Sequence, residues 1–328
     1  MPSPNRQQIS LFLISHTAWG NLPQAVSFLA MQIQAASIGE AIPRENFDAV
    51  IHSVFDTAAN LRLSDADRLV TLLVSDQYEL PQGIRITPRP APLQSLTVGR
   101  PAACRAGVLR FESSPLTIDL RSASVWKCHI SGLNVDLQSA STERSWSDVW
   151  QMLNSRQKLN KAEIVADDLF QLNVGSLLSQ RISRPIMQLI SSTEEFDIAG
   201  SIQAAGKMIG LGPGVTPAGD DFLIGFLAGL WSTSGKDQRQ LSFIHSFGDR
   251  LMEIAKQTNL ISRTYLYHAI RGQFSSSLSN LAEAIALGSE NIRAVSEAAM
   301  RVGHSSGMDS VTGLLIGLCI WNPELALA

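Results

Sequence analysis

The sequence predicts an α+β fold: a β-rich N-terminal portion followed by a helical C-terminal domain. Prolines at 81, 88, 90, 92, 101 and 115 rule out long helices between Tyr78 and His129. Between these prolines lie short runs in which apolar and polar residues alternate, the period of a half-buried strand. From about Trp146 onward apolar residues recur at helical spacing, and the breaks between them are only a few residues long. A chain of 328 residues is long enough for two domains, each with a core. The junction is placed in the Ser- and Thr-rich stretch Leu137–Ser147, giving an N-terminal mixed domain of residues 1–145 and a helical domain of residues 146–328.

In chain order, residues 1 to about 80 read as mainly helical. Ala25, Phe28, Leu29, Gln32 and Ile33 form one stripe, and Phe47, Val50, Ile51, Val54, Phe55 and Ala58 form another. His16 and His52 have no partner at helical spacing and read as surface or core histidines. Strands are expected over Gly83–Thr87, Leu93–Gly99, Ala106–Glu112, Leu116–Leu120 and Val125–Ile130, as a small antiparallel sheet or partial barrel. Ser113-Ser114-Pro115 supplies one of its turns. Arg100, Arg105, Arg110 and Arg121 read as a solvated strand face, and Trp126, Trp146 and Trp150 as packing at the sheet edge. Helices follow over Asp148–Leu159, Ala166–Ser179, Arg184–Ser191, Phe196–Ile209, Pro217–Thr233, Gln238–Gln257, Ser262–Gly272, Ser276–Leu287 and Ser289–Val302.

The most chemical stretch is Ile209–Trp231, IGLGPGVTPAGDDFLIGFLAGLW. Gly210, Gly212 and Gly214 allow positive φ and close approach of a ligand to the backbone. Thr216-Pro217 reads as an N-cap followed by proline at the first helical position, with Asp220 and Asp221 in the first turn. Such a loop feeding a helix N-terminus is a candidate anion site, with Gly212, Gly214, Thr216 and Gly219 as binding residues. It is neither a dinucleotide fingerprint, since Val215 replaces the third glycine, nor a P-loop, since Gly-Asp-Asp stands where Gly-Lys-Ser/Thr is required. Two adjacent acids beside an anion site imply either a substrate that donates hydrogen bonds or a bridging cation such as Mg²⁺ on Asp220 and Asp221.

A second copy of the pattern occurs in Gly303–Leu318, GHSSGMDSVTGLLIGL. It sets Asp309, Gly313 and Gly317 opposite Asp221, Gly225 and Gly229. Each trio shares one helix face. Glycine costs about 1 kcal/mol against alanine inside a helix, so paired glycines call for close backbone contact between the two helices. If the helices pack in parallel, Asp221 and Asp309 face one cavity. His304, Ser305 and Ser306 precede the second helix as ligand hydrogen-bonding groups at its N-terminus. A third motif, LISRTYLYHAIRGQFS from Leu260, has Ser262 in N-cap position and Arg263, Tyr267 and Arg271 on one face. Arg263 is a candidate clamp for a carboxylate or phosphate.

The three motifs, GLGPGVTPAGDDFL, SRTYLYHAIRGQFS and GHSSGMD, occur in this order and together resemble a bacterial family long catalogued as a domain of unknown function. Its best-understood members are a subunit of the oxamate carbamoyltransferase of allantoin breakdown. The resemblance implies a subunit that handles carbamoyl phosphate or a related small anionic substrate, with Asp220, Asp221, His304 and Asp309 as catalytic candidates. It also implies partner subunits, among them one similar to acyl-CoA synthetases. Two other readings of the same residues are a metal-dependent hydrolase using the aspartates, and an assembly subunit whose glycine helices pack on a partner.

Composition bounds the remaining classes. A net charge of −3 gives no footprint for nucleic acid or an anionic membrane. Three scattered cysteines form neither a zinc pattern nor a disulfide framework. The apolar run Leu11–Ile14 is too short for a signal peptide, and the apolar helices are too short to span a bilayer, so a cytoplasmic protein is expected.

Overall fold

The computed structural model describes residues 31–322 except 75–77, 87–91, 161–164 and 171–176. His16, Leu11–Ile14 and the stripe residues Ala25, Phe28 and Leu29 lie outside the described residues. The described chain is α+β, strands first and helices second. The strands are β1 (Met31–Gly39), β2 (Phe47–Val54), β3 (Ala58–Leu63), β4 (Leu69–Val74), β5 (Gly83–Ile86), β6 (Pro101–Arg105), β7 (Val108–Phe111), β8 (Leu116–Asp119) and β9 (Ser124–Trp126). Their order is β5-β4-β3-β2-β6-β7-β8-β1-β9, and β1 also pairs antiparallel with β5, so the sheet closes into a barrel-like form. The sheet is mixed: β1 runs parallel to β8 and β9, and β4 parallel to β5.

The helix expected over Phe47–Ala58 is instead β2 and the start of β3. Phe47, Ala49 and Ile51 point into the barrel core while Asp48, Val50 and His52 face out, the period-2 pattern of a strand. The register of β2 on β3 then shifts between Ile51 and Ser53. Val50 and Phe55 are outward-facing apolar residues, 39% and 41% exposed, and with Phe47, Ile51 and Val54 they supply the intervals of three and four that imitate a helical stripe. Gln32 and Ile33, likewise expected in a helix, are in β1. Leu93–Gly99 opens with a short 3-10 turn, Pro92–Ser95, rather than a strand.

The helices are α1 (Ala140–Leu159), α2 (Leu177–Glu194), α3 (Ile198–Gly206), α4 (Ala218–Ser234), α5 (Gln238–Ile254), α6 (Leu260–Ala269), α7 (Ser276–Ala286), α8 (Ile292–Met300) and α9 (Ser306–Cys319). Trp146 and Trp150 belong to α1, not to the sheet edge. Their rings stack at 5.2 Å, and Trp146 Nε1 donates to the Leu315 carbonyl at 2.9 Å. The segment expected as a helix from Ala166 holds a 3-10 turn, Asp167–Phe170, and α2 runs through Pro185 without ending there. Among the described residues no helix is long and apolar enough to cross a membrane.

One apolar core fills the barrel, built from residues between Ala35 and Leu120. A second, built from residues between Ile130 and Ile320, is centred on α4 and α9. These two helices are buried almost throughout. They run parallel, with Gly225 against Ser310 and Leu314, Gly313 against Phe222 and Phe226, and Gly317 against Phe226 and Gly229. A methyl group on Gly225 or Gly313 would collide with the carbonyl oxygen of Ser310 or Phe222. The glycine faces are therefore spent on each other inside the chain, which leaves neither open to an outside partner.

Barrel and helices join along α6 and α7. Ser276 N donates to the Glu79 carbonyl at 3.0 Å, Glu79 N donates to Ser276 Oγ at 2.8 Å, and Leu69 N donates to Thr264 Oγ1 at 3.3 Å.

Candidate functional site

Because α4 and α9 run parallel, their first turns lie at the same end of the helical core. They open into a cavity of about 540 Å³ whose opposite wall is the barrel. The helical wall carries Thr216, Asp221, His304, Ser305 and Ser306, and α6 adds Tyr265 and His268. From the barrel side come Asn60, Thr71, Tyr78 and Gln82.

The loop before α4 is shaped by its glycines. Gly210, Gly212 and Gly214 have φ of 72°, 115° and 101°, a region that side chains with a Cβ rarely occupy. The loop folds back so that Gly219 N donates to the Leu211 carbonyl at 2.9 Å. Gly214 and Thr216 border the cavity. Gly212 and Gly219 do not; a methyl on Gly219 would collide with the Met208 carbonyl and one on Gly212 would lie 2.8 Å from Ala218 N, so both are needed for the fold-back. Thr216 is not the N-cap: α4 begins at Ala218 with Pro217 in the cap position and no side-chain cap. The Thr216 hydroxyl instead donates to Asp221 Oδ2 at 2.9 Å and lies 2.7 Å from Ser306 Oγ. One hydrogen-bonded chain thus ties the loop, α4 and α9 together.

The adjacent acids Asp220 and Asp221 face different surroundings. Asp220 Oδ1 accepts from Gly210 N at 2.8 Å and Oδ2 from the Thr258 hydroxyl, and the residue does not border the cavity. It anchors the glycine loop to the α5–α6 connection. Asp221 borders the cavity and is 5% exposed. Burial pushes its carboxyl well above the usual range; the Ser306 and Thr216 hydroxyls oppose this, while the nearby charges of Asp309 and Asp220 add to it. Asp309 is buried in the first turn of α9, close enough to act electrostatically on Asp221, but unlike Asp221 it does not border the cavity, so the parallel helices do not bring both carboxylates to its wall. Among the described residues no group of three or more His, Cys, Asp or Glu is arranged to hold a metal ion.

The α6 motif presents another face to the cavity than its arginines suggested. Asn259, not Ser262, caps α6, accepting from Ile261 N and Ser262 N at 3.0 and 3.1 Å. Arg263 points to the barrel and pairs with Asp67 on the β3–β4 connection, away from the cavity. Arg271 lies over the Tyr267 ring, 3.6 Å from its centroid. Ile261, Tyr265 and His268, the next face of the helix, border the cavity. Burial lowers the His268 pKa to about 4, helped by Arg68 and Arg271 and opposed by its hydrogen bond to Gln273. Its Nδ1 lies 2.9 Å from Gln273 Oε1. A carboxamide oxygen only accepts, so Nδ1 carries the ring proton and Nε2 keeps the lone pair. Burial also raises the Tyr265 phenol, and Tyr78 and Asp221 add to the shift. The i, i+4 and i+7 spacing of Ile261, Tyr265 and His268 is the signal in the sequence for this face. The charged stripe beside it points instead to Arg263.

Residues 208–318 match the model of the family described as oxamate carbamoyltransferase subunit AllH, and residues 24–125 match that of the AllH family N-terminal domain. The two matches together span most of the chain, and each takes in one wall of the cavity. No solved structure matches the chain.

Proposed function

The chain belongs to the family of the oxamate carbamoyltransferase subunit AllH, and from that premise we propose that the cavity between barrel and helices holds the small substrates of carbamoyl transfer. The observation that carries this reading is the chain of Ser306, Thr216 and Asp221, formed where the first turns of two parallel helices meet. In neither α4 nor α9 does the cap residue's side chain bond the first turn. The Ser305 and Ser306 hydroxyls would take a carboxylate or phosphate, while the N–H groups of Gly219, Asp220, Asp221, Gly307 and Asp309 already donate to backbone carbonyls. Asp221, kept neutral by burial and by Asp309, would donate to the carbamoyl oxygen as negative charge builds on it.

With carbamoyl phosphate as donor, the oxamate nitrogen attacks the carbamoyl carbon. A C–N bond forms, the C–O bond to phosphate breaks, and phosphate departs with the electron pair. The proton lost by nitrogen goes to Nε2 of His268, whose ring is held by Gln273. Partner subunits in the cytoplasm, one of them similar to acyl-CoA synthetases, would complete the enzyme. Of the three aspartates a Mg²⁺ ion in this cavity would meet Asp221 alone, since Asp309 does not border it and both Asp220 oxygens are engaged elsewhere.

Thermal unfolding of the full chain with oxamate, carbamoyl phosphate, inorganic phosphate or Mg²⁺ tests the reading. A ligand at about 100 times its Kd adds roughly 2.7 kcal/mol of stability. A rise in Tm with oxamate or carbamoyl phosphate that is lost in Ser306→Ala is expected. A rise that persists unchanged in Ser306→Ala and Asp221→Asn, or none with either compound, would sink it. A rise with Mg²⁺ alone would favour the metal-dependent hydrolase.

A further inference from the structure

The barrel wall of the cavity carries polar groups that are mostly paired with each other. Thr71 Oγ1 donates to Asn60 Oδ1 at 2.8 Å, and Asn60 Nδ2 donates to Ser53 Oγ at 3.0 Å. Gln82 differs. It is 2% exposed, borders the cavity, and its carboxamide oxygen Oε1 is buried with no hydrogen-bond partner among the described residues. Its backbone is held firmly: the Gln82 carbonyl accepts from Thr71 N at 2.9 Å, and Gly83 N closes a turn onto the Leu80 carbonyl at 3.0 Å. That turn is wedged against Gly39, where a methyl group would collide with the Leu80 and Pro81 carbonyls. The side chain therefore starts from a fixed point beside the cavity, and its unpaired oxygen, closed off from solvent, would reach the cavity by a turn of the terminal carboxamide.

We propose that Gln82 is a specificity-determining residue whose carboxamide oxygen accepts an N–H of the bound ligand, so that the cavity selects a small acid bearing a primary amide over the matching dicarboxylate. This rests on the reading that an oxamate-like molecule binds in this cavity. Oxamate and oxalate differ in one group, an NH₂ in place of a carboxylate oxygen. Facing Gln82 Oε1, the NH₂ donates, whereas the carboxylate brings a second acceptor and leaves both desolvated and unpaired. The amide recognised from the barrel would lie across the cavity from the hydroxyls at the start of α9, so the two walls read the two ends of the ligand.

Calorimetric titration of the full chain with oxamate and with oxalate, in wild type, Gln82→Met and Gln82→Glu, tests the assignment. Wild type should prefer oxamate by roughly 10- to 100-fold, the range expected when a buried group loses its partner. In Gln82→Met, which keeps length but removes the acceptor, oxamate should weaken about 10-fold or more while oxalate does not, so the preference collapses. Gln82→Glu keeps an acceptor and should retain the preference for oxamate. Without ligand, Gln82→Met should melt at or above the wild-type temperature, because an unpaired buried acceptor has been removed; a residue that merely supports the turn would lower it. If oxamate binds and the preference survives in Gln82→Met, the role given to Gln82 is wrong and the proposed function stands. If oxamate binds to none of the three proteins, both fall together.

Discussion

Asp221 and His268 titrate in opposite senses, and each leaves a signature in stability. The folded-state pKa of Asp221 lies above its unfolded value, so the native state holds a proton that the unfolded chain has released. Its contribution is present below the unfolded pKa and is lost as pH rises through the folded one. Asp221→Asn keeps an acceptor for Thr216 and removes this dependence. Urea unfolding from pH 4 to 8 should show the variant gaining on wild type as pH rises; identical slopes would contradict the burial argument. His268 has a folded pKa of about 4 against an ordinary 6.5, so its contribution is present above 6.5 and lost as pH falls toward 4. Replacing it by glutamine should remove on the order of 3 kcal/mol of that fall. Residues in contiguous motifs, such as Asp221, Ser306 and Asp309, can be picked out from sequence because each stands at a helix start beside unusual glycines. Gln82 and Tyr78 cannot: they reach the cavity from a strand turn more than a hundred positions away, with no local pattern to mark them.

At the scale of elements, α4 and α9 are legible because glycines at i and i+4 weaken an apolar helix unless another backbone packs against them. Strand β2 reads as helical because the exposed apolar residues Val50 and Phe55 fill in a spacing of three and four around its inward-facing set. Alanine at Gly225 or Gly313 should gain about 1 kcal/mol in helix propensity. It should lose more through contact with rigid backbone, where overpacking costs about 1–3 kcal/mol and no rotamer offers relief. A net loss of up to about 2 kcal/mol is expected in urea unfolding. Gly206→Ala is the control, since its new methyl meets only Ile254 Cδ1 at 3.7 Å. A neutral outcome at Gly225 would mean that the helices are not in backbone contact.

Across the whole molecule, the cavity is a property of two cores facing each other, and the connections between them are mostly neutral hydrogen bonds. Arg263 supplies a charged one, and it pairs with an Asp67 whose side chain is 53% exposed. An exposed pair of this kind is worth about 0.2–1 kcal/mol. Arg263→Gln should therefore cost no more than about 1 kcal/mol in unfolding and leave oxamate affinity unchanged. A loss of affinity at constant stability would return this arginine to the site.

The glycine seam also governs when the site comes into being during synthesis. A ribosome delivers the barrel and α4 well before Ser306–Cys319, so the seam must close across a long span of chain. Until α9 emerges, Phe222 and Phe226 have no partner helix, and neither Ser306 nor Asp309 has been made. The nascent protein then carries a greasy, unpaired helix rather than a half-built cavity, a state that favours chaperone capture or aggregation over premature ligand binding.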